Sequence, residues 1–362
     1  MRINIIKNNG GYMMYQRKST SSSNQGFERG PIRFRTIAGL MVALLMAILI
    51  SACGNNANSV QTDSPAQSTA QPEEQKPLTI KHDYGETVIP THPQRIAVIG
   101  LEDLALSLEV PMVYAYGFDG YYLEDQLKEL NIPLSGSADT NQNLEQILET
   151  KPDLILLQQY FTDQAGYDEL SKIAPTVPYK PDNWKATITD IGKILGLEEK
   201  SQSVIQAYDD KIKETKAAVS NAAGTDNSVV FIRPSIKDLQ VFFPSFNPLV
   251  YEQLGLKPDA SIETFQKEST EDWGMNTSLE KLPSITANYV FAIYGGSIDT
   301  AEDFAKEEAS SAEVEKLSVW KTVPAVKQNH VFKVSARHWM SSGPIAEGKV
   351  IDDVVAAVTN KR

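Results

Sequence analysis

Residues 143–157, NLEQILETKPDLILL, read as a helix that runs at once into a buried strand. Outward from this unit the pattern keeps alternating. On the N-terminal side, residues 95–99 read as strand, 101–108 as helix, 112–116 as strand and 123–130 as helix. On the C-terminal side, 167–173 read as helix and 176–179 as strand. Ahead of them all, LTIKHDYGETVIP from residue 78 reads as two short strands around a glycine turn. Strands that alternate with helices of this length imply βαβ units and a mainly parallel sheet.

Two helical stretches then follow each other, residues 185–195 and 198–222, with Gly196 as the break. At about 1.5 Å per residue the second spans roughly 37 Å, long enough to bridge two domains. Beyond Gly224, VVFIRP at 229–234 opens a second run of alternation that ends in a helix over 345–359. Within it, SLEKLPSITANYVFAI at 278–293 echoes the opening stretch: a polar residue, Leu-Glu, a Lys or Gln, an apolar residue, then a buried strand. The expected fold is α/β, with a first half at 78–197, a connecting helix at 198–223 and a second half at 224–362. About 285 residues beyond a polar leader is near the size at which one core gives way to two.

The leader is legible too. Cys53, the lone cysteine of the chain, ends an uncharged apolar run over 36–52 that follows Arg29, Arg33 and Arg35. A basic stretch, an apolar run and a small-residue cut site form the layout of a secretory signal over 1–52. The run is shorter than the ~20 residues a membrane-spanning helix needs. Residues 54–77 hold almost nothing apolar, so burial cannot offset the entropy of ordering them, and a flexible tether is expected. A chain of that length reaches roughly 25 to 30 Å. The first 53 residues carry seven of the 34 Lys/Arg and one of the 46 Asp/Glu, which leaves a formal charge of −18 on the rest. So acidic a chain argues against nucleic acid and against docking on anionic lipid by charge. With no second cysteine there is no internal disulfide and no cysteine-based metal site.

The frame Leu49-Ile50-Ser51-Ala52-Cys53-Gly54 resembles the lipobox of bacterial lipoproteins, in which the cysteine sulfur receives a diacylglycerol and becomes the new N-terminus. Two acyl chains anchor stably where one does not, which places the chain on the extracytoplasmic face of the cell membrane. The rest resembles the substrate-binding lipoproteins that feed iron-siderophore importers of the ABC type, the class III periplasmic-binding-protein-like group for ferric hydroxamate or citrate-type ligands. The segments that carry the likeness are PQRIAVIG at 93–100, NLEQILETKPDLILL, LSKIAPTV at 170–177, SVVFIRP at 228–234 and RHWMSSGPIAEGKVIDDV at 337–354. The resemblance implies two Rossmann-like lobes, a rigid helix between them, and a cleft that closes only slightly on a ferric chelate. It also implies a monomer with no enzymatic activity and no cofactor of its own, partnered by a permease dimer with its cytoplasmic ATPase.

Such a ligand carries iron already saturated by the chelator's oxygens, so the protein itself needs no metal ligands. It needs cationic donors for oxygens and flat surfaces for the organic shell. Arginine suits the first, because its planar fork stays charged when desolvated; Tyr and Trp suit the second. Ligands of open α/β sheets lie beyond the carboxyl ends of the strands, which selects Arg233 after the strand 229–232, and Arg337, His338 and Trp339 after the strand 331–334. The resemblance places an oxygen-binding arginine at Arg233 and a tryptophan at Trp339. Trp273 precedes the second repeat, and Tyr116, Tyr122 and Tyr160 follow strands of the first half. A solvated loop histidine accounts equally well for His338, and a core tryptophan for Trp273. Glu145 and Glu280 stand at equivalent places in the repeat, and the resemblance implies that they dock on permease arginines. Solvated helix-end carboxylates would look the same.

Other functions are weaker fits. His82, His92, His330 and His338 are too few and too scattered for a free-metal site. A hydrolase would need an activated nucleophile, and no G-x-S-x-G elbow is present; neither is a nucleotide fingerprint. A haem or cobalamin carrier of the same importer class and a purely structural lipoprotein stay open, and hydroxamate or citrate-hydroxamate chelates are favoured over the more highly charged tris-catecholates.

Overall fold

The computed structural model describes residues 78–359 apart from 181, 225–226 and 297–299. Cys53, the signal segment and the tether lie outside the described residues. A hairpin of β1 (Thr79–His82) and β2 (Gly85–Val88) leads into the first lobe. Its sheet has the order β4-β3-β5-β6, from β3 (Ile96–Ile99), β4 (Met112–Ala115), β5 (Leu154–Gln158) and β6 (Thr176–Tyr179), all parallel. Helices cover both faces, which is why IAVI and LILL are buried along their length instead of alternating. The helix of the opening stretch, Leu144–Glu149, starts where the Asn143 side chain accepts the Gln146 N–H at 3.1 Å. It stops ahead of Lys151, held at a φ of 48°, and Pro152.

The connecting helix is Glu198–Ala223, 26 residues long. It buries a narrow stripe that includes Tyr208, Thr215, Val219 and Ala223. Part of that stripe packs on the last helix, Pro344–Thr359, where Lys211 Nζ donates to the Gly348 carbonyl at 3.0 Å.

The second lobe is built on β7 (Ser228–Pro234), β8 (Leu239–Phe242), β9 (Lys257–Pro258), β10 (Gly274–Thr277), β11 (Tyr289–Tyr294) and β12 (Val331–Ser335). Its order is β10-β8-β7-β11-β12, with β9 beside β7. β7, β9, β10, β11 and β12 all run the same way; β8 alone is reversed and pairs antiparallel with β7 on one side and β10 on the other, so this sheet is mixed. The cause is local. Just four residues separate β7 from β8, too few for a crossover helix; the Ser235 hydroxyl tightens the turn through Asp238 Oδ1 at 2.6 Å. β7 therefore runs past Ile232, and Arg233 and Pro234 still pair with Gln240 and Leu239.

The repeat occupies matching places. β5 follows the helix Leu144–Glu149 and lies beside β3; β11 follows a helical turn over Leu279–Ser284 and lies beside β7. In the second copy Pro283 removes a donor and holds the turn to 3-10 form. Both lobes fall within one compact unit. One buried apolar cluster runs from Ile96 and Leu104 through Tyr208 and Val219 to Phe231, Val350 and Ile351, so the lobes and the helix share a core.

Candidate functional site

The segments that follow strands in one lobe meet those that follow strands in the other. Residues beyond β3 and β4 face residues beyond β12, and a gap of about 480 Å³ opens between them, lined in part by Gly120, Tyr122, Glu124, Arg337, His338 and Lys349. Arg337 spans the gap: a Cβ added at Gly120, where φ is +86°, would lie 2.4 Å from its guanidinium nitrogens. With no side chain and a positive φ, Gly120 lets the first lobe's loop lie this close with Arg337 in place.

Arg337 sits in a four-residue helix, Ala336–Trp339, whose start is set by the Ser335 hydroxyl accepting the Arg337 N–H at 3.3 Å. Its guanidinium carbon stands 4.5 Å from the centre of the Phe304 ring, a cation–π geometry. Arg233 is 8 % exposed, and its Nη2 donates to the Gly295 carbonyl at 2.7 Å and to Met340 Sδ at 2.9 Å. Phe242 lies 6.0 Å from the Arg233 guanidinium carbon and 6.1 Å from Trp273, ring centre to ring centre, so these three side chains form a row. Gly295, with a φ of +72°, leaves the space in which Phe304 packs, since a Cβ there would meet the ring at 2.2 Å.

The other predicted residues separate into groups. Tyr122 and His338 line the gap together with Arg337. His338 Nε2 pairs with Asp353 Oδ2 at 2.7 Å, and Trp339 Nε1 donates to the same oxygen at 2.8 Å. Trp339, however, is only 4 % exposed and packs between Phe231 and Phe291; it belongs to the core of the second lobe and not to a wall of the gap. Tyr116 is likewise interior: it is 1 % exposed, its hydroxyl donates to the Ala138 carbonyl at 2.9 Å, and its ring is edge-on to Phe118, Tyr121 and Phe161. Alternation points this side chain inward. Tyr160 is 41 % exposed in a short helical turn after β5.

Sequence reasoning passed over Phe304 and two acidic residues. Phe304 is the single aromatic in AEDFAKEEASSAEV, the helix Ala301–Val314, an outlier that composition could have flagged. Glu102 and Asp103 come just past Gly100 and Leu101 at the carboxyl end of β3, the kind of place that singled out Arg233 near the end of β7. Glu102 Oε1 accepts the N–H groups of Gly100 at 2.8 Å and Tyr116 at 3.0 Å. Asp103 accepts from Ile345 N–H at 3.0 Å, Ala346 N–H at 2.8 Å and the Tyr122 hydroxyl at 3.1 Å. Burial disfavours their charged forms and pushes Glu102 up to about 8 and Asp103 up to about 7, against the opposing pull of these hydrogen bonds.

Glu145 and Glu280 are both exposed, each two residues beyond a helix-starting side chain, Asn143 in one lobe and Ser278 in the other. Among the described residues no cluster of His, Cys, Asp and Glu is placed to hold a metal ion, and no helix is long and apolar enough to cross a membrane. Ser341, near His338 in sequence, donates its hydroxyl to the Arg337 carbonyl at 2.5 Å. The arrangement is that of a receptor: cationic forks and aromatic rings on one lobe, a glycine- and phenol-rich loop on the other.

Known proteins share this plan. The periplasmic binding protein family profile matches residues 104–337. The chain is 26 % identical over 340 residues to the iron(3+)-hydroxamate-binding protein FhuD of Bacillus subtilis, covering 88 % of this chain and 96 % of that one. It is 28 % identical over 334 residues to the probable siderophore-binding lipoprotein YfiY of the same organism, with 88 % and 96 % covered. Among solved structures, Staphylococcus aureus SirA complexed with staphyloferrin B superposes with a TM-score of 0.62 at 26 % identity, over 77 % of this chain and 98 % of that one.

Proposed function

Because the chain belongs to the periplasmic binding protein family, we propose that it captures a ferric siderophore between its lobes and hands it to an ABC permease. It is a binding protein and not an enzyme, and it needs no cofactor of its own. One observation carries the ligand reading: Arg337 of the second lobe lies against Gly120, in the tyrosine-bearing loop of the first, with Arg233 held at the end of β7 in the same lobe. Guanidinium groups serve the chelating oxygens of the complex, and Tyr122, Phe304 and Trp273 offer surface to its organic shell. Hydroxamate or citrate-hydroxamate chelates fit best, since two arginines balance a small negative charge more readily than that of a tris-catecholate, and the relative FhuD is named for ferric hydroxamate.

Delivery completes the reading. Lipid on Cys53 keeps the monomeric carrier at the membrane, the tether over 54–77 lets it move, and Glu145 and Glu280 meet arginines on the two halves of the permease dimer. Support comes from their exposure and matched places in the two lobes, and from the lipoprotein name of YfiY. The test is a titration of the protein with ferric hydroxamates, ferric citrate-type and catecholate chelates, haem, cobalamin and free metal ions, followed by tryptophan emission. Saturable quenching at submicromolar ferric hydroxamate is expected. Saturation by haem or cobalamin with silence toward every ferric chelate would overturn the reading.

A further inference from the structure

The last helix begins in an unusual way. Glu347 N–H donates to the Gly343 carbonyl at 2.9 Å, which makes Gly343 the N-cap residue and Pro344 the first residue of the helix. Pro344 has no N–H, so the first donors left without a partner inside the helix are those of Ile345 and Ala346. An N-cap side chain would ordinarily accept from these positions, and glycine has none. Both N–H groups bond instead to the carboxylate of Asp103, 242 and 243 residues earlier in the chain and in the other lobe. The fit is close. A Cβ at Gly343, where φ is +139°, would stand 2.4 Å from the Asp103 carboxyl carbon.

Asp103 is itself held. It is 3 % exposed, the Tyr122 hydroxyl donates to it, and its neighbour Glu102 ties the same helical turn, Glu102–Leu108, to the ends of β3 and β4. Adjacent carboxylates thus bind one short helix in two directions: Glu102 within its own lobe, Asp103 across to the second. A buried carboxylate at a helix N-terminus is favoured by the helix dipole as well as by the two N–H bonds. Moving the lobes apart at this point would strand both.

We infer that Asp103 is a positioning residue that bolts the two lobes together, supplying the missing cap of the last helix and so setting the angle at which the faces of the gap meet. The small closure expected for this architecture then rests on a side chain as well as on the connecting helix. Only the effect on ligand affinity depends on the siderophore reading; the bolt itself does not.

The experiment compares the full chain with Asp103→Ala, Asp103→Asn and Gly343→Ala, the last of which pushes on the bolt from the opposite lobe. Hydrogen exchange at the Ile345 and Ala346 amides should rise at least tenfold in Asp103→Ala and Gly343→Ala. It should rise less in Asp103→Asn, which keeps one acceptor oxygen. Exchange in the loop around Gly120 and Tyr122 should rise with it, and solution scattering should report a larger radius of gyration. Affinity for a ferric hydroxamate, measured separately, should weaken at least threefold. Faster exchange confined to Ile345 and Ala346, with scattering and affinity unchanged, would make Asp103 a helix cap only and overturn the bolt, as would unchanged exchange. Loss of folding in Asp103→Ala passes the same readouts to Asp103→Asn and Gly343→Ala. A wild-type protein that binds no ferric chelate, with exchange and scattering altered as expected in the variants, would sink the ligand reading and leave the bolt standing.

Discussion

Replacing Arg233 by alanine tests the ligand reading at its most buried cation. Arg233 is 8 % exposed and its guanidinium is fixed by Gly295 and Met340, so it is pre-organised, and little entropy is lost when a ligand oxygen reaches it. A hydrogen bond to a charged group is worth about 1.5 to 3 kcal/mol, which corresponds to roughly a ten- to 150-fold loss of affinity per contact. The variant also leaves the Gly295 carbonyl without this donor, at a folding cost of about 1 to 3 kcal/mol. Affinity and stability must therefore be read apart. Calorimetric titration with a ferric hydroxamate at fixed ionic strength gives the first, and urea denaturation the second. Arg233→Lys should recover part of the affinity, because an ammonium keeps the charge but not the planar fork. A folded Arg233→Ala protein that binds with wild-type affinity would remove Arg233 from the site.

Three further outcomes are expected. Glu102 and Asp103 have folded values raised to about 8 and about 7, so the stability that comes from their neutral forms is complete below pH 4 and is lost as pH rises toward 8. Each proton contributes about 1.4 kcal/mol per pH unit, and Glu102→Gln should flatten the denaturation free energy between pH 5 and 8 by up to one proton; an unchanged slope would show that Glu102 is ionised throughout. Reversing charge at Glu145 and Glu280 together should leave chelate binding intact while lowering uptake by cells at least tenfold, and undiminished uptake would end their docking role. Phe231, fully buried against Tyr251, Phe291 and Trp339, should cost about 3 to 5 kcal/mol when cut to alanine, with midpoint loss in urea as the measure.

Much of the architecture was open to reading because it is local. Continuous apolar runs such as LILL and IAVI mark strands buried on both faces, and Gly196 marks the break before the connecting helix, since it takes up the left-handed conformation that ends the helix Trp184–Leu195. The mixed second sheet was less legible, because its one reversed strand, β8, is short and its direction follows from the length of a turn. Among the site residues, Trp339 and Tyr116 illustrate the limit. Each comes shortly after a strand, as a ligand contact would, yet packing turned both inward.

Periodicity, spacing and charge therefore determined the two α/β lobes, the helix between them, the acidic surface and the place of Arg233 at a strand end, all of which depend on residues near one another in sequence. The tertiary structure alone decided what lies across the gap. Asp103 caps a helix more than 240 residues away because folding brings Gly343, which lacks a side chain, against it, and Phe304 covers Arg337 because Gly295 leaves room for its ring. Such pairings leave no period and no spacing in the chain. They arise when two surfaces, each dictated by its own local pattern, are packed together and every buried donor must find an acceptor.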